Sequence, residues 1–169
     1  MENYKFETMQ IHAGQAADPV TGAVSVPIYQ TSGYVFESCD YAASLFNLER
    51  EGNIYTRIMN PTNAVFEARI AALEGGTGAL ATASGQGAAL ITVFNLAKAG
   101  DHIICAKAIY GGTYNLFANT FKDYGIETTF VNADDPADFD RAVKGKTKLI
   151  FIEPVTNPNA GVVDVEAVA

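Results

Sequence analysis

Along the chain, apolar and polar residues follow two different patterns, and the change falls near residue 60. From Pro61 onward, stretches with apolar residues at helical spacing are followed by short, continuously apolar runs, which are typical of buried strands. The predicted helices are residues 61–74, 86–97, 113–124 and 136–144, and the predicted strands are residues 79–82, 102–106, 127–131 and 148–152. Short strands joined by helices indicate right-handed crossovers, so we predict an α/β domain with a parallel-rich sheet and flanking helices.

The first 60 residues lack this pattern. They are rich in glycine, aromatic and β-branched residues, and only residues 41–48 are predicted to be helical. Without regular alternation, the segment is not expected to form a sheet of its own. We predict that residues 1–60 form an extended N-terminal arm that contacts a neighbouring subunit, and that residues 61–169 form the first part of the α/β domain.

The composition excludes several classes of function. The chain has 169 residues, which suggests one domain, and its 19 acidic and 11 basic residues give a net charge of −8. Nucleic acid is not an expected partner, because phosphate backbones need clustered lysine and arginine. The N-terminus lacks an apolar signal core and the apolar runs are too short to span a membrane, which favours a cytoplasmic protein without a membrane partner. Cys39 and Cys105 have no partners at metal-ligand spacing, so we expect neither a disulfide framework nor a metal site.

The last residues, 164–169, have the composition of a helix that has just begun, with Asp164 as its N-cap and no end signal. Four parallel strands would also leave an apolar edge open, which natural proteins usually cover. We therefore expect the chain to be the N-terminal part of a longer protein.

The first candidate site is Ser84-Gly85-Gln86-Gly87, between a predicted strand and a predicted helix. A helix N-terminus offers free N–H groups and a positive dipole to an anion, and glycine lets a ligand approach the backbone, so this segment favours a phosphate. It lacks the third glycine of a dinucleotide-binding fingerprint, because Leu90 occupies that position. The structural alternative is a glycine-rich tight turn.

Two further candidate sites follow strands, at the edge where open parallel sheets bind ligands. Tyr110 follows the second predicted strand and could stack on a planar cofactor and carry a proton. Glu153 and Asn157 follow the fourth strand, and a carboxylate next to a buried run needs a partner. The alternatives are a core tyrosine and a loop fixed by its own Asn and Pro residues.

Tyr55 and Arg57 form a fourth candidate site, outside the sheet. Residues two apart on an extended strand point the same way, so this pair could grip a phosphate, even one in another subunit. The alternative is a surface arginine beside a packed tyrosine. His12 and His102 have no triad around them and are interpreted as structural, with His102 at the start of a strand.

Taken together, these segments resemble the cystathionine γ-synthase-like family of Cys/Met metabolism enzymes, and residues 6–14, 52–57 and 72–76 resemble its O-acetylhomoserine sulfhydrylase branch. The resemblance covers essentially the whole chain. It implies the pyridoxal-phosphate (PLP) dependent transferase fold shared with aspartate aminotransferase (fold type I), of which residues 61–169 would be a truncated first part of the PLP-binding domain.

By this resemblance, the backbone N–H groups of Gly85 and Gln86 would bind the PLP phosphate, with Ser84 opening the loop. Tyr110 would stack on the pyridine ring and shuttle protons.

The resemblance also implies that Asn157 would hydrogen-bond the phenolic oxygen of PLP, with Glu153 close by. Tyr55 and Arg57 would contact the cofactor phosphate of the neighbouring subunit, which implies a homo-oligomer, a dimer of dimers.

The implied reaction is γ-replacement, in which O-acetyl-L-homoserine and sulfide give L-homocysteine and acetate, a step in methionine biosynthesis. Related γ-lyases often have a cysteine where this chain has Gly112, which favours replacement. The family's Schiff-base lysine lies beyond Ala169, so we expect residues 1–169 alone to be inactive and to need the C-terminal part. Alternatives are cystathionine γ-synthase, cystathionine γ-lyase or methionine γ-lyase activity, a non-catalytic fragment, or a nucleotide-binding domain.

Overall fold

The computed structural model describes residues 4–169, which form two compact units, one ending at Ala81 and the other spanning Thr82–Ala169. The first unit contains three helices: α1 (Phe6–His12), α2 (Cys39–Phe46) and α3 (Pro61–Glu74). The second unit contains α4 (Gly85–Leu96), β1 (His102–Ala106), α5 (Gly111–Asn115), a π-helical turn (Leu116–Thr120), α6 (Phe121–Asp123), β2 (Glu127–Val131), α7 (Pro136–Ala142), β3 (Thr147–Phe151) and α8 (Val165–Val168). Among the described residues, none of the helices combines the length and the apolar character needed to cross a membrane.

Helix α3 confirms the prediction for residues 61–74, because local signals define both of its ends. The Asn60 side chain accepts a hydrogen bond from the N–H of Thr62, and Pro61 occupies the first turn. The C-cap Gly75 has a φ of 65°, a left-handed conformation that glycine adopts without strain. Asn60 is buried and also donates a hydrogen bond to the Tyr29 carbonyl (2.9 Å), which ties the start of α3 to the extended segment before it.

Helix α1 was not predicted, and it packs against α3. The guanidinium of Arg69 donates hydrogen bonds to the Ala13 carbonyl (2.9 Å) and to the Gln15 side chain. A Cβ atom on Gly14, whose φ is +76°, would lie 2.8 Å from the Arg69 amide nitrogen, so only glycine fits this approach. Through these contacts, residues before position 60 and helix α3 belong to the same compact unit. The contact of residues 1–60 with a second subunit remains a prediction.

The sheet of the second unit has three parallel strands in the order β2-β1-β3. All three match predicted strands to within one residue, and β1 is buried along its whole length. The first predicted strand along the chain, residues 79–82, is wrong, because these residues have no strand pairing. Instead, the amide of Ala81 donates a hydrogen bond to the Glu67 carboxylate (2.7 Å) within the first unit. An apolar run becomes a strand only where a neighbouring strand accepts its backbone hydrogen bonds.

Aromatic side chains fill the core of the second unit. Phe117 and Phe121 are fully buried, and their rings pack edge to face with centroids 5.0 Å apart. They lie on the π-helical turn and α6, which together with α5 occupy the predicted helix 113–124. Full burial of one such ring stabilises the fold by about 2–3 kcal/mol. This core fixes the sheet from which the loops after β1 and β3 project.

His102 begins β1, as predicted, and ties the three strands together. It is 2% exposed, and its Nδ1 and Nε2 lie 2.7 Å from the Thr147 hydroxyl on β3 and 2.8 Å from the Thr129 hydroxyl on β2. Burial, together with the nearby charge of Lys144, lowers the pKa of His102. The role of His102 is therefore structural, and it lies at the sheet edge opposite to the loops that follow β1 and β3.

Candidate functional site

Helix α4 begins at the carboxyl edge of the second unit's sheet with a capped and accessible first turn. The Ser84 hydroxyl accepts a hydrogen bond from the N–H of Gly87 (3.0 Å), which is the geometry of an N-cap. The remaining N–H groups of a first turn have no acceptor within the helix and point along the positive end of its dipole. A Cβ atom built on Gly85 would meet no described atom within 4 Å, so the space beside this turn is open.

The Gln86 side chain connects α4 to α5. Its amide nitrogen donates a hydrogen bond to the hydroxyl of Thr113 (2.8 Å), which is 5% exposed. The side chain of Gln86 is thus held against α5 by one of its two amide N–H groups. Sequence reasoning did not assign a role to Thr113. Its position three residues after Tyr110 is the one signal in the sequence that pointed to it.

Tyr110 immediately precedes α5, and its ring is 51% exposed. The core-tyrosine alternative therefore does not apply. The N–H of Tyr110 donates a hydrogen bond to Oε1 of Glu153 (2.9 Å), which gives this half-buried carboxylate a partner. Because β1 and β3 are parallel, the loops that follow them emerge at the same edge of the sheet, and this hydrogen bond joins them.

Asn157 lies in a loop whose shape is set by its neighbour. Thr156 is buried, its N–H donates to the Gly161 carbonyl (2.8 Å), and its hydroxyl donates to the Asn159 side chain (3.0 Å). The peptide bond between Asn157 and Pro158 is cis. Asn157 is exposed, and its side chain forms no hydrogen bond with any residue between 4 and 169. The loop is therefore fixed without the Asn157 amide, which remains available to a ligand.

Tyr55 and Arg57 lie in the first unit. The guanidinium carbon of Arg57 is 4.8 Å from the centroid of the Tyr55 ring, a cation–π distance, and both side chains are exposed. The chain turns here and is not extended as predicted, because the carbonyl of Tyr55 accepts hydrogen bonds from the N–H groups of Ile58 (2.8 Å) and Met59 (3.0 Å). The two predicted side chains are brought together by the cation–π contact and not by strand geometry.

Cys105, near the end of β1, is part of the core and not of the site. Burial, with a smaller effect from the charge of Glu153, raises the pKa of the Cys105 thiol to about 12. A thiol with this pKa is protonated at neutral pH and is a poor nucleophile.

A family model for Cys/Met metabolism PLP-dependent enzymes matches residues 7–169. The chain belongs to this family. That membership confirms the resemblance found in the sequence and, with the parallel sheet described above, the predicted fold class.

Two relatives of this chain are named for closely related activities. The O-acetyl-L-homoserine sulfhydrylase of Leptospira meyeri is 48% identical over 167 residues, which are 99% of this chain and 38% of that protein. The homocysteine synthase of Schizosaccharomyces pombe is 49% identical over 169 residues, which are 100% of this chain and 39% of that protein. The chain therefore spans about two-fifths of the length of these relatives.

A solved structure has the same fold as this family member. It is a protein of Campylobacter jejuni described as a candidate O-acetylhomoserine (thiol)-lyase, with a TM-score of 0.92 and 40% identity. The match covers 97% of this chain and 40% of that one, and the Campylobacter structure contains N'-pyridoxyl-lysine-5'-monophosphate.

Proposed function

We propose that this chain supplies the phosphate-binding and ring-binding part of a PLP enzyme that converts O-acetyl-L-homoserine and sulfide into L-homocysteine and acetate. The observation that carries the proposal is the connected group at the carboxyl edge of the sheet. In this group the start of α4 is linked to α5 through Gln86 and Thr113, and the loop before α5 is linked to the end of β3 through Tyr110 and Glu153. The names of the two sulfhydrylase and homocysteine synthase relatives support the choice of reaction.

The first turn of α4 fits a phosphate. The open space beside Gly85 admits an anion, and the N–H groups of Gly85 and Gln86 would donate to it, with Ser84 capping the helix. From this part of the chain, the helix dipole and the backbone donors would supply the attraction for the phosphate.

Two exposed polar side chains fit the ring of the same cofactor. The Tyr110 ring would stack on the pyridine, with its hydroxyl placed to carry a proton, and the Asn157 amide would donate to the phenolic oxygen. When bound, PLP supplies an electron sink for carbanion chemistry. Glu153 would lie close to the cofactor and would hold the backbone of Tyr110 in place.

The proposal includes a second subunit and a longer protein. Tyr55 and Arg57 would contact the cofactor phosphate of a neighbouring subunit in a dimer of dimers, since their side chains lie together and exposed. None of the positions matched by the resemblance is the Schiff-base lysine, so residues 1–169 alone would not catalyse the reaction. The enzyme would act in the cytoplasm, in keeping with the two free cysteines, Cys39 and Cys105.

The phosphate site is tested by a charge placed beside it. In Gly85→Asp, the new side chain should fit without a clash. Its negative charge should interact favourably with the N-terminus of α4 but should repel the phosphate. We expect PLP binding, measured by equilibrium dialysis, to weaken by about tenfold or more, with unchanged thermal stability. The control Gly85→Asn has the same shape without the charge, and the control ligand pyridoxal lacks the phosphate. If Gly85→Asp binds PLP as tightly as the parent chain, the phosphate does not lie at α4.

The reaction is tested in the whole protein that contains residues 1–169. Homocysteine formation from O-acetyl-L-homoserine and sulfide is expected to exceed turnover of L-cystathionine or L-methionine. Faster release of ammonia and a keto acid from either of the latter two would assign a γ-lyase instead.

A further inference from the structure

We propose that Glu153 and Gly112 are positioning residues that together set the orientation of the Tyr110 ring, Glu153 by holding the backbone of Tyr110 and Gly112 by leaving room for the ring. The purpose of this arrangement, presenting the ring to PLP, rests on the proposed function, but the arrangement itself does not.

Glu153 holds the residue from which the ring projects. Its Oε1 accepts the N–H of Tyr110 at 2.9 Å, across 43 residues of sequence. Tyr110 is the residue before α5, with an extended ψ of 131°, so this hydrogen bond fixes the backbone at the point where the loop turns into the helix. Glu153 itself lies two residues after the end of β3 and is half-buried, so it is held close to the sheet.

Gly112 lies under the ring. A Cβ atom built on Gly112 would be 2.5 Å from Cε1 of Tyr110, a distance that real Cβ atoms essentially never show, and 3.2 Å from its Cζ, which is a tight contact. The ring is 51% exposed and can rotate, so a side chain at residue 112 would displace the ring and leave the backbone in place. The neighbouring Gly111 differs, because a Cβ atom there would meet no described atom within 4 Å.

The two contacts act on different parts of the same residue. Removing the Glu153 carboxylate frees the backbone of Tyr110, whereas adding a methyl group at Gly112 moves the ring. Either change should alter the position of the tyrosine hydroxyl, the group that the proposed function uses to carry a proton.

The test is ¹⁹F NMR of the chain labelled with 3-fluorotyrosine, which needs neither cofactor nor turnover. The chain has eight tyrosines, and the Tyr110 signal is assigned by its loss in Tyr110→Phe. We expect Gly112→Ala to move this signal by more than its line width and the matched control Gly111→Ala to leave it in place. Glu153→Ala should shift or broaden it, and Glu153→Gln, whose amide oxygen can accept the same N–H, should restore it.

An unmoved signal in Gly112→Ala, or an equal shift in Gly111→Ala, would overturn the role of Gly112. Failure of Glu153→Gln to restore the signal would overturn the role of Glu153. If circular dichroism shows that Glu153→Ala is unfolded, the proposal is tested by comparing Gly112→Ala with Gly111→Ala, and Glu153→Gln with the parent chain. Weak PLP binding with the expected fluorine pattern would contradict the proposed function alone, whereas tight binding without that pattern would contradict this inference alone.

Discussion

The side-chain amide of Gln86 donates a hydrogen bond to the hydroxyl of Thr113 over 2.8 Å. This contact joins α4, whose first turn is accessible, to α5, which follows Tyr110. Loss of this hydrogen bond would therefore loosen the contact between α4 and α5, and with it the relation between the two positions that we propose for the phosphate and for the ring.

We expect Thr113→Val to lower the free energy of unfolding by about 1 kcal/mol, because it removes a buried acceptor and leaves the Gln86 amide without its partner. Urea unfolding measures the change. In a Gln86→Ala background the same substitution should cost little, so a double-mutant cycle isolates the pair. Equal losses in both backgrounds would mean that the hydrogen bond contributes nothing.

Leu48 has a φ of 60°, in the left-handed region that non-glycine residues rarely adopt, and its side chain is 86% exposed. It follows α2 in the position where glycine usually ends a helix. We expect Leu48→Gly to raise the free energy of unfolding by about 1 kcal/mol, because it relieves backbone strain and removes few contacts.

The matched opposite change is Gly75→Ala, after α3. Gly75 has a φ of 65°, and a Cβ atom there would meet nothing described within 4 Å, so only the backbone is tested. Gly75→Ala should lower the free energy of unfolding by about 1 kcal/mol in the same urea experiment. A destabilised Leu48→Gly beside a destabilised Gly75→Ala would show that the Leu48 side chain makes a stabilising contact.

His102 should make the fold less stable in mild acid. Its pKa is lowered from 6.5 by burial and by the charge of Lys144, against a smaller opposing effect of Glu127. The unfolded chain therefore binds the proton more readily, and the stability conferred by neutral His102 is complete above about pH 6.5 and is lost as the pH falls through the lower pKa of the folded state.

The measurement is the free energy of unfolding in urea between pH 7.5 and 5, for the parent chain and for His102→Gln. The variant should show a shallower pH dependence, by at most about 1.4 kcal/mol per pH unit, the limit for one proton. Identical slopes for the parent chain and His102→Gln would exclude His102 as the titrating group.

The two cysteines should differ in reactivity. Cys39 is exposed, whereas Cys105 is buried and its thiol has a pKa of about 12. We expect a disulfide reagent such as DTNB to modify one thiol per native chain and both thiols in denaturant. Cys39→Ser should abolish the native reaction. A fast second reaction in the native chain would show that β1 opens.

Several elements were predictable from the sequence because their signals are local. The Asn60-Pro61 start and the Gly75 end define α3, and the apolar runs define the three paired strands, since each run and each cap is contained in a few residues. Residues 79–82 were wrongly predicted as a strand, because strand formation depends on a neighbour that the run itself does not specify.

The contacts of the candidate site were only partly predictable. The topology rule placed Tyr110 and Glu153 at the same edge, but their hydrogen bond joins residues 43 positions apart and depends on side-chain direction. The steric role of Gly112 was equally hidden, because a glycine in sequence does not show which ring lies above it. The roles of the site residues toward a cofactor remain predictions for the binding experiments above.

The strand order has a consequence for the growing polypeptide. The central strand, β1, is translated before both of its neighbours, so it has no partner until residues 127–131 and then residues 147–151 have left the ribosome. The loop after β1 is held from the other side only when Glu153 has been synthesised. Nascent chains arrested before that residue would expose an apolar central strand, the kind of surface that chaperones bind.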